Sequence, residues 1–234
     1  MFRVLADSES ERLRAKIDLV QPVLWSAEER LLTHPRIAEL YPHYLFLCHC
    51  IVRASVPLME TARRRVEELS ATSDSVAGLD TYLERHELEE RDHDTWLLED
   101  LESLGIPRSS ILRRPPTATV AGLVGAQYYW ILHYHPIALL GYMAVLEWNP
   151  PSLEDIDDLV ERTGHPRAAF RTLIEHAELD PTHAQELQEM INGLRLNPEQ
   201  STLMGLSAMH TVAALAAACE ELTQRLPRSG GGGI

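Results

Sequence analysis

Residues Ile174–Leu187 read IEHAELDPTHAQEL, and whether this stretch is helix or loop decides how the chain is built. Read as helix, it sets His176, Asp180 and His183 at positions i, i+4 and i+7. At 3.6 residues per turn these three side chains share one face over two turns. Two imidazoles and a carboxylate in that order are donors suited to a first-row ion such as iron or manganese, more than to a structural thiolate zinc. The plain alternative is a solvated helix whose polar face carries two histidines. Pro181 follows Asp180 directly, removes the backbone donor to residue 177, and is expected to bend or open the helix so that Asp180 and His183 address different ions.

Outward from this stretch, almost every segment carries helical periodicity, and no alternating Val/Ile/Thr-rich run argues for strand. A first helix is expected over about Ser8–Leu32 with a break at Pro22, and a second from the His34–Pro35 pair to Leu69, kinked near Pro57. The Ser70–Ser75 cluster reads as turn, and a long helix follows over about Val76–Leu104, closed by Gly105 and Pro107. Beyond the stiff connector Arg113–Pro116 lies a charge-free helix that bends at Pro136 and ends at Asn149–Pro150. A short acidic helix then starts at Ser152, another after Gly164–Pro166, and the last runs from Asn197–Pro198 to about Leu226. The expectation is an all-α fold, one helical bundle of about seven to eight helices over residues 1–227 with a flexible Gly-rich tail at 228–234.

The composition fits one large core. The chain has 234 residues, 45% hydrophobic and 24% charged, a globular balance. Its net charge of −14, from 21 Lys+Arg against 35 Asp+Glu, argues against nucleic acid and anionic membrane surfaces as partners. The uncharged run Pro115–Leu146 is long enough to span a bilayer. It also holds Gln127, His133, His135 and Pro136, which suits a helix buried inside a bundle better than one facing lipid. The Ala-, Ser- and Met-rich run Ser201–Cys219 suits close helix packing in the same way. Cys48, Cys50 and Cys219 are too few and too closely or distantly spaced for a zinc knuckle, so reduced core thiols and a cytoplasmic setting are expected. The opening MFRVLADSESERLR turns acidic before any apolar run, which argues against a signal peptide.

Further donors cluster in Tyr82–Asp100, YLERHELEERDHDTWLLED. Glu90 and His93 form Glu-x-x-His, the pair that helical di-metal proteins project into a bundle core. Glu89, at i−4 from His93, and His86, at i−7, compete with Glu90 for that role. Glu147 is the first charge after the long apolar helix, where an unpaired carboxylate is expensive to bury, unless it marks the helix end. Glu60 lies one turn beyond Pro57 in a mostly apolar helix, with an intrahelical pair to Arg63 or Arg64 as the alternative. Glu60, Glu90, His93, Glu147, His176, Asp180 and His183 together give enough donors for two octahedral ions. A single Glu-x-x-His argues against a ferritin-like cage, which offers two.

The blocks HELEERDH (86–93), WLLEDLESLG (96–105), HPIALLGYMAVLEW (135–148) and HAELDPTH (176–183) resemble the heme-oxygenase-like di-iron oxidases and oxygenases, over about Tyr41–Gln188. The resemblance implies the helical fold of heme oxygenase and the TenA thiaminases, with a non-heme iron pair in place of porphyrin. It implies O2 as co-substrate and oxidative decarboxylation, C–C cleavage or N-oxygenation of an amino-acid-, amine- or fatty-acid-like molecule, in natural-product biosynthesis. By the same resemblance the ligands fall on Glu60, on Glu90 with His93, on Glu147, and on His176, Asp180 and His183. Catalysis falls on the last six of these. Manganese is an alternative in one site, since it favours similar donors.

A small-molecule substrate and an unidentified electron donor are the implied partners, and a homodimer is left open. Tyr128, Tyr129, Trp130, Tyr134 and Met143 are expected in the core, with a place on the substrate pocket as the alternative. The rival functions are a TenA-like, metal-independent enzyme on the same fold, and a non-catalytic helical module that binds metal or a partner.

Overall fold

In the computed structural model, residues 8–70 and 78–225 are described. They form eleven α-helices and one 3-10 turn, and contain no strand: α1 Glu9–Leu32, α2 Ile37–Val52, α3 Ser55–Ser70, α4 Leu79–Glu89, α5 His93–Ser103, α6 Arg108–Arg113, α7 Ala118–His133, α8 Ala138–Glu147, α9 Leu153–Thr163, the 3-10 turn Arg167–Phe170, α10 Arg171–Gly193 and α11 Pro198–Arg225. The turn expected at Ser70–Ser75 lies, from residue 71 on, outside the described residues, as does the tail at 228–234.

Local chemistry sets the helix ends. Ser8 with Glu11 and Ser152 with Asp155 form capping boxes at the starts of α1 and α9, each satisfying two otherwise orphaned amide donors. Gly105 and Gly164, at φ 78° and 66°, take the left-handed conformation that ends a helix cheaply only in glycine.

The long runs expected from the sequence are subdivided, which raises the helix count without changing the all-helical architecture. The run 37–69 breaks at Arg53–Ala54, leaving Pro57 in the first turn of α3, where its missing N–H has no intrahelical partner to lose. The run 76–104 breaks over Glu90–Asp92, where Asp92 takes φ 71°, a left-handed conformation that Asp tolerates better than most residues. The charge-free run breaks at Tyr134–Ile137, around Pro136.

Pro22 and Pro181 behave otherwise than expected. Both sit inside unbroken helices, so α10 does not open between Asp180 and His183. Each proline deletes a single donor, and buried residues further along the helix, Leu187 and Ile191 in α10, hold the remainder against the core. Pro42 inside α2 shows one way the loss is offset: the Ala38 carbonyl, which residue 42 would otherwise bond, accepts from His165 Nε2 at 2.8 Å.

Helix α11 packs along α1 and against α8 and α7, α3 packs on α4, α2 on α5, and α10 on α8 and α5. Helix α8 is buried on nearly all sides. Its Gly141 lies so close to α11 that a Cβ would stand 2.1 Å from the Met204 carbonyl oxygen. The segments Ile37–Leu69 and Pro198–Gln224 are long and apolar enough to cross a membrane, but they are mostly buried in the bundle. The charge-free run splits in character. Helix α8 is core, whereas α7 exposes Tyr129 and, just past its end, Tyr134, at 55% and 60%. These two tyrosines therefore lie outside the core, because α7 turns one face outward.

Candidate metal centre

Helices α4, α5, α8 and α10 converge on a cluster of imidazoles and carboxylates. One ligand atom from each of His86, Glu90 and His183 lies within 4.8 Å of the others, and the same holds for Glu90, His93 and His176. Glu90 belongs to both groups. The rings of His86 and His183 meet edge-on at 4.7 Å, and those of His93 and His176 at 5.0 Å. The arrangement is thus two histidine pairs joined by one carboxylate.

Glu147, at the end of α8, brings Oε1 to 3.2 Å from His86 Nε2, and Asp180 Oδ1 lies 3.8 Å from His183 Nδ1. The break between α4 and α5 puts Glu90 in a turn, from which Oε2 reaches His93 Nδ1 at 3.3 Å and Oε1 approaches His183 Nδ1 at 3.8 Å.

Hydrogen bonds orient the donors. The Thr172 carbonyl accepts from His176 Nδ1 at 2.8 Å; a carbonyl only accepts, so Nδ1 carries the proton and Nε2 presents its lone pair. Thr172 is held in turn by Asp100, whose Oδ2 accepts from the Thr172 amide at 3.1 Å. Asp100 lies on α5 with His93, so this bond locks α5 to α10. Trp96 stacks on the His93 ring at 4.0 Å and carries Arg171 over its own face at 5.0 Å.

Of the expected ligands, Glu90, His93, Glu147, His176, Asp180 and His183 come together, and Glu60 does not. It is exposed on α3, beside the buried Met59 and Thr61. Arg63 also leaves it, binding Asp80, Glu84 and Glu87 across the α3–α4 contact. Glu60 therefore stands apart from the cluster, whereas His86, 1% exposed, lies at its centre. Its position seven residues before His93 was the legible signal. Glu89 stays at the rim, 38% exposed, 3.7 Å from both His86 and His183.

The residues present fit metal ions. His86 Nδ1, His183 Nδ1 and Glu147 Oε2 are buried without a hydrogen-bond partner, which is costly unless something else binds them. Burial pushes Asp180 up, and the charges of Glu147 and Glu90 add to this, to about 8. Burial also works against ionised Glu90, but the hydrogen bond from His93 and the charges of His93, His176 and His86 prevail and hold it at about 2. His176 is pushed down, chiefly by burial. A site that ionises one carboxylate at the expense of another is short of positive charge, and bound cations offset that shortage.

A cavity of about 240 Å³ opens beside the donors, slightly below the roughly 300–1,000 Å³ of drug-sized ligand pockets. His86, Glu90, Glu147, His176 and Asp180 form part of its wall, and Leu97, Leu139, Met143 and Val145 are among its apolar lining. Tyr142 also lines it, with a buried hydroxyl that lacks a partner. Among the pocket candidates on the charge-free run, only Met143 reaches it.

Glu28 on α1 lies on the same wall, and burial pushes its carboxyl up to about 7. Neither Glu28 nor Tyr142 was singled out in the sequence, where nothing local marks them. Because the folded state binds the Glu28 proton more tightly than the unfolded chain does, stability falls as pH rises from about 4 through about 7. Glu28→Gln is therefore expected to match the natural protein at pH 4 and exceed it by about 2–3 kcal/mol above pH 7, read from urea unfolding at both pH values.

Comparison with known proteins gives one family and one fold. A family model described as iron-containing redox enzyme matches residues 49–225. No curated protein matches significantly by sequence. Among solved structures, a domain of unknown function with a heme oxygenase-like fold from Shewanella denitrificans superposes with TM-score 0.72 at 17% identity, covering 91% of this chain and 89% of that one. A TenA homologue from Pseudomonas syringae pv. tomato gives TM-score 0.72 at 12% identity, covering 92% and 93%. A CADD-like protein of unknown function from Nostoc punctiforme gives TM-score 0.67 at 16% identity, covering 91% and 97%. At these identities the likeness is one of fold.

Proposed function

The chain belongs to the iron-containing redox enzyme family, and from that premise we propose that it is a non-heme di-iron oxidase or oxygenase that consumes O2. The observation that carries this reading is Glu90, common to two three-donor groups. A single carboxylate shared by two histidine pairs suits two neighbouring ions better than one. His93 and His176 would hold one ion with Glu90, and His86 and His183 would hold the other with Glu90, supported by Glu147 and Asp180.

Iron bound there supplies redox equivalents and activates O2. The chain's own groups do the rest. Glu90 stays ionised through the neutral range. The Tyr142 hydroxyl, pushed above its ordinary value by burial and by the Glu90 and Glu147 charges, stays protonated and is free to donate to a substrate. Leu97, Leu139, Met143 and Val145 limit water beside the donors, which protects a reactive centre from side reactions. The substrate is a small amino-acid-, amine- or fatty-acid-like molecule, processed by decarboxylation, C–C cleavage or N-oxygenation in a biosynthetic pathway. Repeated turnover would require an external electron donor. Three free cysteines fit a cytoplasmic setting.

A TenA-like, metal-independent reaction is disfavoured by the cysteines on the cavity wall. Burial pushes the Cys48 thiol up to about 12 and Cys219 higher still, whereas a nucleophile needs the thiolate. A non-catalytic metal module has no need of the apolar cavity beside the donors.

Anaerobic Fe(II) titration followed by a pulse of O2 tests the proposal. Two irons per chain and a transient visible absorption are expected, with manganese as a competing titrant in one site. Uptake is expected to weaken at low pH, where protons compete with the ions for the donors. No iron uptake, or uptake unchanged in the His176→Ala/His183→Ala variant, overturns it.

A further inference from the structure

The cavity wall has an unusual charge pattern. Among the described residues no Lys or Arg lines it. Its ionisable acids and bases near the donors are those of the centre itself: His86, Glu90, Glu147, His176 and Asp180. Apart from these stands Glu28, contributed by α1, with Tyr44 and Cys48 of α2 and Cys219 of α11 beside it. The Glu28 charge acts on Tyr44, Cys48 and Cys219.

Glu28 has no counter-ion. Burial is the sole cause of its shift, and it takes part in no hydrogen bond or ion pair with another described residue. The nearest cation in sequence, Arg30, is turned to Ser26 and Glu220. Tyr44 and Cys48 spend their polar atoms on one another. An acid kept half-buried on an apolar wall at a cost in stability is a mark of function, because a glutamine or leucine there would fold better.

We propose that Glu28 binds an ammonium group of the substrate, so that the enzyme selects amines whose other end reaches the donor cluster. An ammonium offers three donors and a full charge to a carboxylate in a poorly solvated wall, where the pair attracts more strongly than in water. A free carboxylate has no protein cation to meet along the wall, and a bare hydrocarbon end would leave Glu28 buried and unpaired. The inference rests on the reading above that this cavity receives the substrate of the iron centre, and it narrows the substrate from amino-acid-, amine- or fatty-acid-like molecules to amine-bearing ones.

Calorimetric titration of the full chain, metal-free and Fe(II)-loaded under anaerobic conditions, with n-hexylamine, n-hexanol and hexanoate tests it. Saturable hexylammonium binding is expected, at least tenfold tighter than hexanol, and weakened at least tenfold in both Glu28→Gln and Glu28→Leu. Hexanol affinity should be unchanged or improved in the variants, which shows that the cavity persists. Hexylammonium binding that is absent, equal to hexanol or indifferent to both substitutions overturns the proposal. Iron stoichiometry measured on the same samples separates the two readings. Two irons with Glu28-independent amine binding removes this inference alone, whereas Glu28-dependent amine binding without iron uptake supports it and removes the di-iron function.

Discussion

A Glu90→Ala protein is expected to retain less than one tightly bound Fe(II) per chain, whereas Glu60→Gln retains the full complement. Glu90 contributes to both three-donor groups, so one substitution strips a ligand from each and removes a negative charge from between them. Loss of a supporting partner of a ligand already costs 10–100-fold in metal affinity, and loss of the shared ligand itself should cost roughly 100-fold or more at both positions. His93→Ala and His183→Ala are expected to act unevenly, each weakening mainly the group it belongs to. In the apoprotein Glu90→Ala gives up the interactions with His93, His176 and His86 that hold Glu90 ionised but also removes one of the charges that push Asp180 up, so the two effects oppose each other and the net change in stability should be modest. Equilibrium dialysis against Fe(II) with thermal unfolding of the same samples reads both effects. Two tight irons in Glu90→Ala would mean that the ions, if bound, lie elsewhere.

Gly141→Ala is expected to be among the most destabilising methyl additions in the chain. The new carbon would meet the Met204 carbonyl oxygen at 2.1 Å and the Ala208 nitrogen at 3.0 Å, atoms of a helix backbone that no rotamer change can move. Overpacking of this kind costs about 1–3 kcal/mol and occasionally more. The only relief is to pry α8 from α11, and α8 carries Tyr142, Met143 and Glu147, so iron affinity should fall with stability. Gly205→Ala is the contrast. Its added carbon meets the end of the Lys16 side chain at 2.6 Å, which can swing aside, and the cost should stay within about 0.5 kcal/mol. Urea unfolding of the two variants side by side is decisive: equal stabilities would contradict the close α8–α11 approach.

The sequence made the helical architecture and much of the donor set legible for specific reasons. His176, Asp180 and His183 obey helical spacing within one element, and that spacing needs no tertiary knowledge. Glu147 announced itself as the lone acid ending an apolar run. Pro136 marked the bend between α7 and α8. The sequence is silent where a neighbour decides. Glu60 and Thr61 are adjacent, and only the docking of α4 on α3 determines which of them faces inward. His86 shares a helical face with His93 only if the helix continues, yet the chain breaks between them at Asp92 without a glycine or proline to announce it. Tyr142, Asp100 and Glu28 gain their significance from a cavity assembled by helices distant in sequence, and no local pattern encodes that. Two prolines misled in the opposite direction, since Pro22 and Pro181 are both carried inside helices that tertiary packing holds.

The unbroken course of α10 through Pro181 has an evolutionary and engineering corollary. His176, Asp180 and His183 hang on a single rigid rod, so their mutual spacing follows from its pitch, about 1.5 Å of rise and about 100° of turn per residue. The helix serves as a ruler. One residue inserted between Ala177 and Leu179 would swing His176 about 100° away from Asp180 and His183, pulling apart donors that act on separate groups. Length change inside this segment should therefore be far less tolerable than substitution outside the three donor positions, whereas the loops that join α8 to α9 and α10 to α11 can drift in length without disturbing the gauge.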